Sequence, residues 1–303
     1  MALSIGTNDS AMRASQAASI AARGMEASME RLSTGKRINS ASDDAAGIAI
    51  SSRLSAEVRG TNQSVRNALD GQALIATAEG AHKEVENVLQ RMREIAVQAA
   101  NDTNNTQDRL NLQTEMDAMV KEIDRIAGVT TWAGTDLLDG DGTANSSSTF
   151  SFQVGSATGT QNQISVTIGA MDAETLDLNN ATNKNLVLVV ADADATADHD
   201  DGGAATTATG NAEAAIGLID EAIKTVNAQR SELGAVSNRL NHTVNNLTNM
   251  SANLSSAQGR IEDADYAIET TNLAKNQILQ QASTAMLAQA NASQANVLGL
   301  LRS

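Results

Sequence analysis

Cysteine and proline are both missing from the 303 residues, and the aromatic side chains are two Phe, one Trp and one Tyr. Without cysteine there is no disulfide framework and no thiolate metal site. Without proline the commonest interruption of a helix is gone, so long unbroken helices are allowed. With so few aromatics the apolar volume must come from Ala, Leu, Ile, Val and Met, a mixture suited to close helix packing rather than to a large mixed globule. Positive charge is scarce as well. The formal net charge is -15, and no basic run could displace counterions from a phosphate backbone, which sets nucleic acid aside as a partner. The acidity is uneven: from Trp132 to Gly210 eleven Asp or Glu stand against one base, Lys184. The flanks are therefore close to neutral, as packing surfaces should be. No apolar run approaches the length of a membrane span, and Met1 to Ala22 lack a basic start followed by an apolar core. Neither membrane insertion nor a cleaved secretory signal is expected.

What is present is a seven-residue periodicity at both ends of the chain. From about Ala212 to Leu301 apolar side chains return every three or four positions, through Ile219, Val226, Leu233, Leu240, Leu247, Leu254, Ile261 and Ile268, then Leu279, Met286, Val297 and Leu300. This spacing predicts one long helix that coils around partner helices. At the other end Ala11, Ala14, Ala18, Ala21, Met25, Ser28 and Leu32 follow the same 3,4 spacing with small residues, which let helix backbones approach closely. Gly35 is placed to end that first helix, and Ser40, Ser42 and Asp43 are of the types that cap the next. A second helix follows Gly47 through Leu54, Val58, Thr61, Ala68, Ile75, Ala78, Val85, Leu89, Met92 and Ala99; its phase slips near Gly71 to Glu79, which predicts a local change of supercoil. The Asn-rich stretch from Asn101 to Thr106 predicts a turn and cap. A third helix carries Leu112, Met116, Met119, Ile123 and Ile126 and stops near Gly128.

Beyond Gly128 the period changes to two. Phe150, Phe152 and Val154 alternate with polar residues, as do Ile164, Val166 and Ile168, which predicts a β-hairpin. Leu186 to Val190 suggest a further short strand. Asp192, Asp194, Asp198, Asp200 and Asp201 match no calcium-loop spacing and predict a solvated acidic loop. His82, His199 and His242 form no ligand-spaced cluster, so no metal and no cofactor is expected. No phosphate-binding loop, nucleophile elbow or Cys/His set occurs, which argues against an enzyme.

Several ordered segments carry a family resemblance. The stretch from Arg31 to Arg53, the stretches Gln90 to Gln98, Glu122 to Arg125, Ser231 to Val236, Arg260 to Tyr266 and Gln277 to Ala282 together resemble bacterial flagellin, the subunit of the flagellar filament. The resemblance covers about residues 1–170 and 210–303. It implies a mainly α fold, a long-helix coiled-coil bundle formed by the two chain ends with a small central β-hairpin region. The implied organisation has terminal inner-core helices at 1–44 plus 261–303, a helical domain at 45–179 plus 211–260 with the hairpin near 148–170, and a short exposed acidic loop at 180–210 in place of larger outer domains. The expected function is a structural, non-enzymatic subunit that polymerises into the extracellular filament for swimming motility and is exported without a cleaved signal.

The resemblance also assigns residues. A polymerisation seam is expected at Ala14, Ala18, Ala21, Met25, Leu32, Leu279, Met286, Val297 and Leu300. A cytoplasmic export chaperone is expected to cover Leu279, Met286, Val297, Leu298, Leu300 and Leu301. Filament cap and hook-junction proteins are further expected partners. A host Toll-like innate receptor is expected to contact Gln90, Arg91, Glu94, Ile95 and Glu115.

Overall fold

The computed structural model describes residues 7–139, 147–178 and 208–302, with side chains from 211 onward in the fourth helix and up to 294 in the last. Its elements in chain order are α1 (Asp9–Thr34), α2 (Ala45–Ala99), α3 (Thr106–Val129), β1 (Thr131–Trp132), β2 (Thr135–Asp136), β3 (Ser147–Gln153), a one-turn helix (Thr160–Asn162), β4 (Gln163–Gly169), α4 (Ala208–Glu262) and α5 (Tyr266–Arg302). The protein is mainly α, with small antiparallel strand pairs in the middle. The chain divides into two compact units, Met1–Arg59 with Ser251–Ser303, and Gly60–Met250.

In the unit Gly60–Met250 the buried face of α2 runs through Thr61, Ser64, Ala68, Gly71, Ile75, Ala78, His82, Val85, Leu89, Met92, Ala96 and Ala99. That is an unbroken 3,4 repeat. The slip of phase expected at Gly71–Glu79 does not exist, because Ser64, Gly71 and His82 hold seam positions that a count of apolar residues passes over. Facing this stripe, α4 buries Ala215, Ile219, Ala222, Val226, Leu233 and Leu240. The two helices run antiparallel, tied by Arg93 to Asp220 at 2.7 Å, Arg230 to Glu86, and Gln72 Nε2 donating to Asn241 at 2.9 Å. The small α2 residues allow a close approach, and the larger α4 residues fill the space between the backbones.

α3 starts as expected after the Asn-rich turn. Asn105 accepts from the Asp108 backbone N–H at 2.8 Å and Asp108 accepts in return from that of Asn105, a reciprocal cap. It buries Met116, Ile123 and Ala127 in the same core. The expected hairpin forms, with Phe150 opposite Val166 and Phe152 opposite Ile164. One face of β4, Ile164, Val166 and Ile168, is buried, while Asn67 donates to the Gln153 carbonyl and Gln229 to that of Thr167, which hold the hairpin against α2 and α4. The smaller β1–β2 pair was not foreseen: two residues per strand are too few for a period to register. The strand suggested at 186–190 and the acidic loop lie outside the described residues.

In the unit Met1–Arg59 with Ser251–Ser303, α1 is capped by the Asn8 side chain and ends at Gly35, whose φ of +70° is open to glycine at no steric cost. It pairs antiparallel with α5: Asn8 donates to the Ala290 carbonyl near one end and Arg31 meets Glu269 at 3.5 Å near the other. The continuous C-terminal helix read from the heptads is interrupted at Asp263–Asp265. Asp265 accepts from the Ala267 and Ile268 backbone N–H groups and so starts a new helix. The heptad continues across the interruption, so periodicity alone could not reveal it. α2 is likewise begun by Asp44, which accepts from Gly47 N–H at 2.8 Å, rather than by the expected Ser40, Ser42 or Asp43. Asp43 instead folds the preceding loop, taking N–H bonds from Ser40 and Asn39 that hold its carboxyl below the usual range.

Candidate assembly surface

Two helices that meet along one line can cover only a strip of each other, so the rest of α1 and α5 must find water or other partners. On α1 the strip is the expected one: Ala21 is buried and Ala14, Ala18, Met25 and Leu32 are half-buried. On α5 it is not. The covered positions are Glu269, Asn272, Leu273, Asn276, Gln280, Ser283, Leu287 and Ala290, a largely polar set. Gly24 accepts this polarity at close range, since a Cβ built there would lie 2.7 Å from Asn276 Nδ2.

The expected α5 seam residues point elsewhere. Leu279 is 45% exposed and Met286 65%. Ile268 lies within about 20° of them on the helix circumference by the 3.6-residue period, and it too is exposed, as is Ile278. Leu279 and Met286 border a groove of about 670 Å³ with Ala14, Ala17, Ala282 and Ala290, which Asp9 and Arg13 also line. Met12, Ile20 and Met29 add exposed apolar groups on α1. Val297, Leu298, Leu300 and Leu301 belong to α5, but their side chains lie outside the described ones. The structure thus brings together Ala14, Leu279 and Met286 around one groove, while Ala21 is turned into the helix pair.

A charged latch at the base of this pair was missed by sequence reading. Glu262 binds Lys36 Nζ at 2.9 Å and accepts from the Ser51 hydroxyl, while its carbonyl takes the Arg37 N–H at 2.6 Å. Ala264 N–H donates to Gly35 O at 2.9 Å, and Lys36 and Asp263 pair as an isolated bridge. Arg31 completes the latch on the buried Glu269. The only sequence signal was the opposite charge of Arg31 to Arg37 and Glu262 to Glu269, which gives no pairing at this separation.

The five residues assigned to an innate receptor fall on α2 and α3. Arg91 spans Glu94 at 2.9 Å and Glu115 at 3.0 Å, and the bonds from these carboxylates hold its guanidinium all the more firmly protonated. Gln90, Arg91 and Glu94 are exposed and Glu115 is half-exposed. Ile95 is not available: it is 0% exposed and packs in the core with Met92 and Met116. Its assignment came from the resemblance alone; it lies on the i,i+4 face of Arg91, where it joins the core cluster that α3 and α4 also fill.

Among the described residues no group of three metal-capable side chains occurs and no helix is long and apolar enough to cross a membrane. Asp192, Asp194, Asp198, His199, Asp200 and Asp201 lie outside them. His82 proves to be a buried seam residue, its Nδ1–H donating to the Ala78 carbonyl at 2.6 Å.

Comparison with known proteins agrees with this architecture. The pattern of the bacterial flagellin N-terminal helical region matches residues 5–143, and that of the C-terminal helical region matches residues 216–301. Flagellin of Xenorhabdus nematophila is 42% identical over 320 residues, covering 100% of both chains. Flagellin of Bacillus subtilis (strain 168) is 43% identical over 283 residues, covering 90% of this chain and 91% of that one. A Vibrio parahaemolyticus protein described as flagellar hook-associated shares the fold, with a TM-score of 0.57 at 18% identity, covering 73% of this chain and 100% of the other. With both family regions matched in order, and with relatives above 40% identity along nine-tenths or more of both chains, the chain belongs to the bacterial flagellin family, the structural subunits of the flagellar filament.

Proposed function

We propose that this subunit grows an open helical filament through the apolar surface of α1 and α5, a contact in which one surface meets a different surface on the next copy and the rotation does not close. The observation that carries the reading is the outward stripe of Ile268, Leu279 and Met286 on a helix whose other face is already paired. Single exposed apolar side chains are ordinary on a protein surface, but a stripe of them, two of which line a groove, supports an interaction site. Neighbouring subunits supply the missing cover, and Val297 and Leu300 extend the same seam.

Before assembly the same stripe has to be kept from non-specific association. A dedicated export chaperone that wraps Leu279, Met286, Val297, Leu298, Leu300 and Leu301 would bind it as a helix in a groove. Export without a cleaved signal, and docking to filament cap and hook-junction proteins, belong to the same reading. Recognition by a host Toll-like receptor would use Gln90, Arg91, Glu94 and Glu115, with the Arg91 donor fork as its centre.

Seeded elongation tests the main proposal. Leu279→Asp combined with Met286→Asp should abolish growth from wild-type seeds, followed by light scattering, while the thermal transition of the helical core moves by no more than the equivalent of about 0.5 kcal/mol. Growth at the wild-type rate would mean that this stripe is not the contact. For the receptor surface, a reporter-cell assay with the free subunit should show activation that falls with Arg91→Ala; an unaffected response would remove that partner.

A further inference from the structure

The terminal unit exposes a second chemistry alongside its apolar surface. Of the ten methionines in the chain, Met12, Met29 and Met286 are 65, 57 and 65% exposed, whereas Met92, Met116 and Met171 are at 0 to 1%. These three exposed side chains lie on α1 and α5, and Met286 borders the groove with Leu279, Ala282 and Ala14. A thioether is the one apolar side chain that accepts an oxygen atom under mild conditions, and its susceptibility follows exposure. We propose that Met12, Met29 and Met286 are sites of oxidative modification, and that their sulfoxides prevent the free subunit from joining its neighbours, an inference that rests on the filament reading above.

The oxidant class is a hydroperoxide, with hydrogen peroxide as the simplest member. A sulfur lone pair attacks one peroxide oxygen, the O–O bond breaks, and the departing hydroxide takes the proton left on the transferred oxygen. The products are sulfoxide and water; sulfur loses two electrons and the peroxide gains them. The new oxygen is a strong hydrogen-bond acceptor on a surface that assembly would otherwise bury as hydrocarbon. Burying it without a donor weakens each subunit contact, by about tenfold or more in the equilibrium constant. The buried Met92, Met116 and Met171 escape, so the helical core keeps its packing while the assembly surface changes polarity. A dithiol-driven sulfoxide reduction restores the thioether, which makes the block reversible.

The test treats full-length free subunit with dilute hydrogen peroxide and locates the added oxygen by peptide mass spectrometry. Sulfoxide should form at Met12, Met29 and Met286 well ahead of Met92, Met116 and Met171, with helical circular dichroism unchanged. Elongation from untreated seeds should slow by about tenfold or more, recover after methionine sulfoxide reductase, and resist peroxide in the variant Met12→Leu, Met29→Leu, Met286→Leu. Met286→Leu alone, which keeps two of the three sulfurs, should recover part of the rate and serves if the triple variant loses helix. Oxidation spread evenly over buried and exposed sulfurs, or treated wild type elongating as fast as untreated, overturns the inference while leaving the filament reading intact. Untreated wild type that fails to elongate removes the filament reading, and this one with it.

Discussion

Gly71 and His82 are two side chains, one of them a single hydrogen, on which the α2 seam depends. A Cβ built on Gly71 would lie 3.1 Å from the Phe152 ring, so the glycine is what lets the hairpin aromatic rest on the helix. Gly71→Leu should destabilise the helical core by about 1 to 3 kcal/mol through overpacking, measured by urea unfolding, and the penalty should shrink when Phe152→Ala opens the space. His82 is fully buried, its Nδ1–H is used by the Ala78 carbonyl, and its Nε2 has no partner. Burial is the main cause that holds its pKa below the ordinary 6.5; Arg230 adds to the depression, and the Ala78 bond and Glu79 oppose it. Below about pH 6.5 the unfolded chain therefore takes up a proton that the folded chain refuses, and stability falls by up to about 1.4 kcal/mol per pH unit until the folded pKa is passed. Unfolding free energies measured from about pH 7.5 to 5.5 should decline more steeply for wild type than for His82→Leu. Parallel slopes would mean that the imidazole is charged in the folded state too.

At the scale of elements, what matters is how helices are started and stopped where periodicity gives no instruction. Asp265 supplies the first acceptor of α5, so Asp265→Ala should cost about 1 kcal/mol of local stability, read as faster hydrogen exchange over the first turn after Tyr266. Glu262 is the hub of the latch, with its side chain 16% exposed and Lys36 51% exposed. Because that pair is partly in water, Glu262→Gln should cost only about 1 kcal/mol. Exchange should quicken at the Arg37 and Ala264 amides, which bond to Glu262 and Gly35 across the latch, and not at amides of α3. An unchanged pattern would show that the backbone bridge holds without the carboxylate.

For the whole molecule, the two compact units bury very different material. The unit Gly60–Met250 has a continuous apolar core from α2, α3, α4 and the hairpin, so hydrophobic burial supplies most of what holds it. The α1–α5 pair buries mainly Ala against Asn, Gln and Ser, and small or polar seams return little against an ordering cost of about 1 to 2 kcal/mol per residue. Deleting residues 277–303 should therefore leave the thermal transition of the core in place, seen by calorimetry, while seeded growth disappears. Loss of the core transition in that deletion would show that the core depends on α5.

The residues by themselves determined the class of fold. Heptads at both ends, no proline, and a change of period at Phe150 to Ile168 dictate long helices and one hairpin, because these patterns act through local geometry, 3.6 residues per turn or alternation along a strand. Tertiary structure alone decided which face of each helix is used. Leu279 and Met286 look like pairing residues in a heptad, yet α5 turns Asn276, Gln280 and Ser283 toward α1, the face on which Glu269 meets Arg31 and the Ala290 carbonyl meets Asn8. Ile95 shares the i,i+4 face of Arg91, yet it is core, because its short apolar side chain joins the cluster filled from α3 and α4, whereas the long Arg91 side chain reaches out to Glu115. Gly71 and His82 read as breaks in a seam that they in fact continue. Periodicity counts apolar side chains, whereas burial depends on what stands opposite, and that partner can lie far along the chain, 169 residues away for Gln72 and Asn241 and 282 for Asn8 and Ala290.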